Sequence, residues 1–426
     1  WYNISYHNTN GYLCVEHCTY HTPMSKAFLE TGKQMGYKVL DYNGPEQIGF
    51  SYLQLNMDRG TRCSASKAYL RLNRPNLDIV TGAMATKVLI DSKKRAYGVK
   101  AVIGGVKYTI LAKKEVILSA GTIDTPKLLM LSGIGPREHL QEMNIKVIKD
   151  AKVGYNLYEH VGFLGLTFLV NQSIALTEKN VFSYENIMKY LVERSGLLAL
   201  PGGPEAIAFL QTKYATDQRP DLELLFIAGS LNSDHDVAVR KGLGITDSLY
   251  NAVYKPIENR DAWSIWPIAQ APRSHGRIKL RSNDPFVPAM LEPNLLEDPY
   301  DVEIILEGIH KAIEISKSPP FQQFGSKLHD IPIPGCRMFT FASDDYWRCA
   351  IRHLPSLMDH EIGTVKMGPA FDPDAVVDPE LRVYGIEGLR VVDASIMPTM
   401  PVGHINAGIY MIGEKAADMI KRRWMN

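Results

Sequence analysis

Residues 388–419 constrain the fold of this chain more than any other stretch. A short apolar segment follows Gly388 and ends at Asp393, which is typical of a buried parallel strand. A loop rich in proline and glycine then leads to an amphipathic helix, whose apolar positions alternate spacings of four and three residues: Ile405, Ile409, Ile412, Ala416 and Met419. Ligands of open α/β sheets bind at the carboxyl ends of strands, and helix N-termini attract anions. Asp393, His404 and Asn406 are therefore candidate ligand contacts.

The charge balance argues against several classes of partner. The 426 residues include 47 lysines and arginines against 46 aspartates and glutamates, so the sequence predicts neither a nucleic-acid partner nor a membrane surface. No apolar run approaches the length needed to span a bilayer. The length itself favours two or three domains with a large buried core.

Hydrophobic patterns predict the main local elements. Apolar residues at helical spacing predict an amphipathic helix over 301–316. Helices are also expected over 23–35 and from Thr125, the latter after a strand and a turn. The Gly104–Gly105 pair lies between two alternating segments and predicts a tight hairpin. The predicted strands of the first half are 77–81, 85–90, 98–103, 106–110 and 115–119.

Two motifs resemble the signatures of the glucose–methanol–choline (GMC) FAD-dependent oxidoreductases. One begins with H-E-I-G-T at His360 and continues through the strand, loop and helix described above, including P-V-G-H-I-N-A-G at 401–408. The other reads S-A-G-T-I-D-T-P-K-L-L-M-L-S-G-I-G-P over 119–136. Their spacing is similar to that of the family, and nearly the whole chain resembles its insect glucose-dehydrogenase-like branch.

The resemblance implies a mixed α/β fold with three functional parts. Residues 1–159 would be an incomplete FAD-binding domain, and residues 160–354 an inserted substrate-binding domain with an antiparallel sheet. Residues 355–426 would return to the FAD-binding domain and carry the catalytic histidines. Long loops, prolines and aromatic-rich strands in the middle segment agree with this division.

Oxidation of an alcohol requires a base for the hydroxyl proton while hydride leaves carbon for the flavin. Imidazole suits this role because its pKa lies near neutral pH. By resemblance, His360 is the base and His404 hydrogen-bonds the developing alkoxide, although the two roles can be exchanged among relatives. His160 lies in a family motif near the cofactor, with a structural role expected. The resemblance assigns FAD contacts to Ala85, Gly121, Asp393, Ala394, His404, Ile405 and Asn406.

The sequence contains no Gly-x-Gly-x-x-Gly turn, which would hold the pyrophosphate of a dinucleotide at a Rossmann βαβ unit. In the family this unit precedes the residues that match this chain. We therefore expect either an N-terminally truncated sequence or a protein that lost the cofactor-binding turn, and weak or no retention of FAD by this chain alone. The functional alternatives are an FAD-dependent enzyme that oxidises an alcohol or sugar, with quinone or oxygen as electron acceptor, and a catalytically inactive GMC remnant with a binding or structural role.

The five cysteines bear on the compartment. Cys336 and Cys349 could form a disulfide in a secreted protein, or remain free buried thiols. Sequons at Asn3 and Asn171 agree with secretion. Cys14, His17, Cys18 and His21 also crowd together in the sequence, but their spacing is too short for one tetrahedral zinc ion, so no metal site is expected.

Overall fold

A computed structural model describes residues 5–72, 74–233 and 239–425. None of the helices in these ranges has the length and apolar character needed to cross a membrane. The α-helices of the described residues are α1 Pro23–Gln34, α2 Gly121–Leu131, α3 Arg137–Glu142, α4 Glu178–Val181, α5 Tyr184–Glu193, α6 Val239–Gly242, α7 Asp247–Val253, α8 Pro299–Ser316, α9 Pro319–Gln322, α10 Asp344–His353 and α11 Asn406–Trp424.

Short helical turns of other types also occur. They comprise one π-helical turn, Ser66–Leu70, and the 3₁₀ turns Leu197–Ala199, Lys255–Ile257, Pro334–Cys336 and Ala394–Ile396. The strands are β1 Glu16–His17, β2 Gly49–Tyr52, β3 Gln54–Leu55, β4 Met57–Asp58, β5 Thr61–Arg62, β6 Ala83–Ile90, β7 Ala96–Ile103, β8 Val106–Leu111, β9 Val116–Leu118, β10 Ile134–Gly135, β11 Lys149–Asp150, β12 Tyr155–Leu157, β13 Val161–Phe163, β14 Phe168–Leu169, β15 Pro204–Leu210, β16 Leu222–Ile227, β17 Ala262–Ala269, β18 Gly276–Lys279, β19 Met290–Glu292, β20 Lys327–Leu328, β21 Pro355–Leu357 and β22 Leu389–Val391.

One compact unit consists of the described residues of 1–75, 161–270 and 299–356. Its eight-stranded sheet has the order β2-β15-β16-β17-β13-β21, with β14 and β20 joined at β17. The central strand β16 is buried along its whole length, and α8 packs against β16 and β17. The ring of Trp263 lies between Phe168 and Phe321, with ring centroids 4.4 and 4.1 Å away. This aromatic stack forms part of the core of the unit.

A disulfide links Cys336 to Cys349 in the same unit. Their Cα atoms are 5.8 Å apart, so the pairing predicted from the sequence is confirmed. Cys349 lies in α10, and Cys336 ends the preceding 3₁₀ turn. Cys14, Cys18 and Cys63 are free thiols.

The second unit consists of the described residues of 76–160, 271–298 and 357–426. It contains the antiparallel sheets β6-β7-β8 and β12-β18-β19 and the parallel pairs β9-β22 and β10-β11. In the β9-β22 pair, Leu389 aligns with Val116 and Val391 with Leu118. Parallel pairing brings the carboxyl ends of both strands to the same edge, where α2 follows β9 and Asp393 follows β22. Buried side chains of α2, including Leu129 and Met130, fill the core beside this pair.

Most of the predicted local elements are confirmed, with two corrections. The Gly104–Gly105 hairpin joins β7 to β8, and the predicted parallel strand and C-terminal helix correspond to β22 and α11. Residues 77–81 are not a strand: they are exposed and pair with no other strand, so their local β propensity has no ladder to support it. The helix predicted from Thr125 begins earlier, at Gly121, and contains Pro126. The three functional parts predicted from the sequence stay a prediction, since the compact units describe packing alone.

Candidate active site

The main chain around His360 is held in place by Glu159. One carboxylate oxygen of Glu159 accepts the backbone N–H of His360 at 2.9 Å and that of Met358 at 3.3 Å, and the other accepts the His360 N–H at 3.0 Å. Burial, together with the smaller effect of the Glu361 charge, raises the pKa of Glu159 to about 8. The protonated, neutral form of the Glu159 side chain is therefore favoured near pH 7.

Helix α2 holds the residues that follow His360. The Thr122 hydroxyl donates to the Glu361 carbonyl, and the Thr364 hydroxyl donates to the Thr122 carbonyl, both at 2.7 Å. Pro126 has no N–H to give to the Thr122 carbonyl four residues earlier, so the Thr364 hydroxyl satisfies an acceptor that the helix itself leaves open. The proline thus gives α2 an anchoring point for this segment.

Gly363 permits a close backbone approach next to His360. Its φ is +92°, and a Cβ at this position would lie 2.2 Å from the carbonyl oxygen of Asn156. Only glycine fits both the dihedral angle and the contact. Ile362 and Tyr158 also exchange backbone hydrogen bonds at 3.1 and 3.3 Å. The segment 358–364 is consequently fixed to residues 156–159 on one side and to α2 on the other.

The ring of His360 is buried and paired with another imidazole. Nδ1 of His360 lies 2.9 Å from Nδ1 of His160, and the two side chains are 9% and 0% exposed. Burial, together with the smaller effects of the nearby His404 and His160, lowers the pKa of His360 to about 2. His360 is therefore neutral at physiological pH with a lone pair available, and in this environment it is a weaker base than a free imidazole, whose pKa lies near neutral pH.

His404 is the second imidazole at the site. Its ring centroid lies 4.8 Å from that of His360, with an interplanar angle of 73°. In contrast to His360, His404 is exposed and stands two residues before α11, which begins at Asn406. The structure thus brings together the two histidines that are 44 positions apart in the sequence, next to the N-terminal end of a 19-residue helix.

Asp393 lies at the carboxyl end of β22 and connects the two signature motifs. Its carboxylate accepts the Gly121 N–H at 3.0 Å, the Thr125 hydroxyl at 2.6 Å, and the N–H and hydroxyl of Ser395 at 2.9 and 2.5 Å. These donors satisfy the buried carboxylate within the protein. Asp393 therefore shapes the edge where β9 and β22 end, and Gly121 lies beside it with a φ of +80°.

The remaining predicted cofactor contacts occupy three places. Ala394 is buried in the 3₁₀ turn after Asp393, and Ile405 is buried before α11, whereas Asn406 is exposed in its first turn. Ala85 lies in β6, is exposed and pairs with Ala101. Sequence reasoning brought out neither Glu159 nor Thr364, because their roles depend on contacts across about 200 residues; the only signal was that Glu159 precedes His160 in a family motif.

The first turn of α11 is suited to a negatively charged group. The N-cap of α11 is Ile405, whose side chain offers no oxygen to the N–H groups of the first turn. The positive end of this helix dipole lies beside the two histidines, so the site fits an electron-rich group that carries negative charge. The residues present are compatible with the ring of a reduced flavin.

Family models for the N- and C-terminal parts of the GMC oxidoreductases match residues 2–162 and 272–413. The alcohol dehydrogenase [acceptor] of Pseudomonas putida is 33% identical over 430 residues, an alignment that covers 98% of this chain and 72% of the relative. The chain belongs to the GMC oxidoreductase family. This agrees with the mixed α/β fold and antiparallel sheets of the structure.

Other GMC oxidoreductases are similar over nearly the whole chain. The glucose dehydrogenase [FAD, quinone] of Drosophila melanogaster is 39% identical over 425 residues, covering 98% of this chain; the chain spans 65% of that relative's length. Among solved structures, the R554A variant of the formate oxidase of Aspergillus oryzae superposes with a TM-score of 0.84 and 25% identity, covering 98% of this chain and 73% of the other.

Proposed function

We propose that this chain carries the base and substrate-orienting residues for FAD-dependent oxidation of a CH–OH group in an alcohol or sugar. The observation that supports this proposal is the arrangement of His360 and His404, whose ring centroids are 4.8 Å apart beside the start of α11. His360 is neutral and immobilised, and it would accept the hydroxyl proton at Nε2. His404 would donate a hydrogen bond to the same oxygen as it acquires negative charge.

FAD, when bound, supplies the hydride acceptor. Ala85, Gly121, Asp393, Ala394, His404, Ile405 and Asn406 are the residues proposed to hold it. The start of α11 would stabilise negative charge on the reduced ring by about 0.5–2 kcal/mol. Relatives named for glucose, choline and ecdysone share the CH–OH donor group, so the substrate class is a small alcohol, a sugar or a sterol-like alcohol. Quinone or oxygen is proposed to accept the electrons.

The alternative, a catalytically inactive GMC remnant, is not favoured. What supports the enzymatic reading is that a neutral, buried imidazole lies beside a second histidine at the start of α11.

We also propose that the protein is secreted. The Cys336–Cys349 disulfide supports an oxidising compartment, and Asn171 is exposed in its sequon. The other sequon residue, Asn3, lies outside the described residues. A mass decrease on treatment with a glycosidase, in protein from a eukaryotic secretory host, is the expected result; absence of the protein from the medium would contradict secretion.

The enzymatic proposal is tested by acceptor reduction in the presence of saturating FAD. The chain is first assayed for bound flavin by absorbance, and then for reduction of a quinone or a dye with glucose, choline and primary alcohols. We expect at least one alcohol to support turnover, and the His360→Ala variant to bind the same amount of flavin but lose turnover. Bound flavin without reduction by any alcohol would contradict CH–OH oxidation. Loss of flavin when the excess FAD is removed would agree with the weak retention expected of this chain alone.

A further inference from the structure

The contact between His160 and His360 restricts where the two rings can carry their protons. A hydrogen bond between two Nδ1 atoms 2.9 Å apart requires that one nitrogen carries hydrogen and the other presents a lone pair. A neutral imidazole has one N–H only, so the choice at Nδ1 also determines the state of Nε2 on both rings. A doubly protonated pair is disfavoured because burial and mutual repulsion lower the pKa of His360.

Two arrangements are then possible. If His160 donates, His360 has a lone pair at Nδ1 and hydrogen at Nε2, where it cannot accept a proton. If His360 donates, its Nε2 has the lone pair, and His160 holds its own hydrogen at Nε2. Only the second arrangement leaves His360 able to act as a base.

We propose that His160 is a positioning residue that accepts the Nδ1–H of His360 and so holds His360 in the tautomer that can take a proton at Nε2. This inference rests on the proposed function, because only the role of His360 as a base distinguishes the two arrangements. When the substrate hydroxyl breaks its O–H bond, the proton goes to Nε2 of His360, and the electron pair stays on oxygen until hydride leaves. Nδ1–H of His360 remains bonded to His160, which neither gains nor loses a proton.

Adjacent residues thus control two parts of His360. Glu159 holds its backbone N–H, and His160 holds its ring nitrogen. Both side chains are almost fully buried, so neither contact is in competition with bulk water. In the other arrangement, uptake of a proton at Nδ1 of His360 would place two N–H groups against each other, which would require the rings to separate. Proton uptake without separation of the rings therefore requires the arrangement in which His360 donates.

The tautomer can be measured directly by long-range ¹H–¹⁵N correlation spectra of the full chain with ¹⁵N-labelled histidine, recorded near pH 8 without substrate. The protein contains two internal references. Nε2 of His139 accepts the Leu280 N–H at 3.0 Å, which requires the Nδ1–H tautomer. Nε2 of His329 lies 2.8 Å from the Val253 carbonyl, which requires the Nε2–H tautomer. The His360 signal is assigned by its loss in His360→Asn.

We expect His360 to show the pattern of His139, and His160 that of His329. In His160→Phe the acceptor is lost, so the Nδ1–H population of His360 should fall. In His160→Asn, the amide oxygen takes the place of Nδ1 and should restore the Nδ1–H tautomer. An Nε2–H tautomer of His360 in the wild type would overturn the proposal, and this measurement does not depend on the folding of any variant. An unchanged tautomer in folded His160→Phe would overturn it as well.

Kinetics of flavin-loaded protein separate positioning from a merely structural role. His160→Phe should lower kcat by roughly 10–100-fold, the range known for removing the hydrogen-bond partner of a metal-bound histidine, with little change in KM. His160→Asn should recover most of this loss. A predicted tautomer together with no alcohol oxidation would contradict the proposed function and leave the positioning role standing. Full activity of His160→Phe would overturn the positioning role.

Discussion

The rings of His360 and His404 are in contact, but they differ in their exposure to solvent. His360 is buried, its backbone is held by Glu159, its ring contacts His160, and the residues after it are fastened to α2. His404 is exposed at the start of a long helix. A group that must accept a proton at one defined atom benefits from a fixed tautomer and orientation, whereas a hydrogen-bond donor to the substrate needs only to reach it. The difference supports assigning the base to His360.

The largest expected effect tests this assignment directly. His360→Ala should lower kcat and kcat/KM together by roughly 10²–10⁴, as expected for loss of a general base. His404→Asn should cost less, because an amide still donates a hydrogen bond to the alcohol oxygen. Steady-state kinetics of the flavin-loaded protein with any accepted alcohol give both values. If His360→Ala turned over normally and His404→Asn did not, the roles would be reversed; if neither change mattered, the pair would not be catalytic.

The second test compares the free energy of unfolding after substitution of a glycine near each histidine: Gly363 in the His360 segment and Gly413 in α11. Gly363→Ala places a Cβ against the Asn156 carbonyl at positive φ, and we expect a loss of more than about 2 kcal/mol in the free energy of unfolding. Gly413→Ala is the matched change in α11, where a Cβ meets nothing within 4 Å. It should gain about 0.5–1 kcal/mol from helix propensity. Urea denaturation measures both, and equal effects at the two positions would contradict the contrast.

Removing the hydrogen bond between α2 and the His360 segment should lower the free energy of unfolding by a smaller amount. Thr364→Val removes the hydroxyl from a carbonyl that Pro126 cannot bond, which leaves a buried acceptor unsatisfied and should cost about 1–3 kcal/mol. Thr86→Val is a suitable control, since the exposed Thr86 hydroxyl donates to the Lys100 carbonyl over 3.3 Å. That change should stay within about 0.5 kcal/mol in urea denaturation. A Thr364→Val protein as stable as the wild type would show that Thr122 finds another donor.

Local sequence patterns predicted the strand, helix and histidines of the site better than they predicted the hydrogen bonds that hold the His360 segment in place. The strand before Asp393 and the α11 periodicity are contained in short segments, and His360 and His404 lie in one motif that resembles a family signature, so all of them could be recognised without a structure. Glu159, Thr122 and Thr364 act through partners about 200 or more positions away, which no periodicity reveals. The prediction of a strand at 77–81 was wrong because it also depended on a distant partner: β propensity without a pairing strand does not form a ladder.

The smallest expected effect is the pH dependence of stability, which we derive from the buried residues Glu159 and His360. The pKa of Glu159 is raised to about 8, so between about pH 4.5 and 8 the folded protein binds a proton that the unfolded chain has released. Stability from this group is fully present below pH 4.5 and is lost as pH rises through 8. The pKa of His360 is lowered to about 2, so below about pH 6.5 the unfolded chain binds the extra proton and stability falls on acidification.

Since the two effects oppose each other between about pH 4.5 and 6.5, the Glu159 contribution stands apart from that of His360 only between pH 6.5 and 8. In this interval each pH unit should lower the free energy of unfolding by less than about 1.4 kcal/mol. Glu159→Gln keeps an oxygen that can accept the two N–H groups but cannot titrate, so its urea midpoint should decline less than that of the wild type from pH 6.5 to 8. Glu138→Gln, at an exposed position of α3, should leave the wild-type decline unchanged. Parallel curves for wild type and Glu159→Gln would mean that Glu159 is already ionised at pH 6.5. A buried negative charge would then lie beside the His360 main chain, where it could stabilise the protonated base.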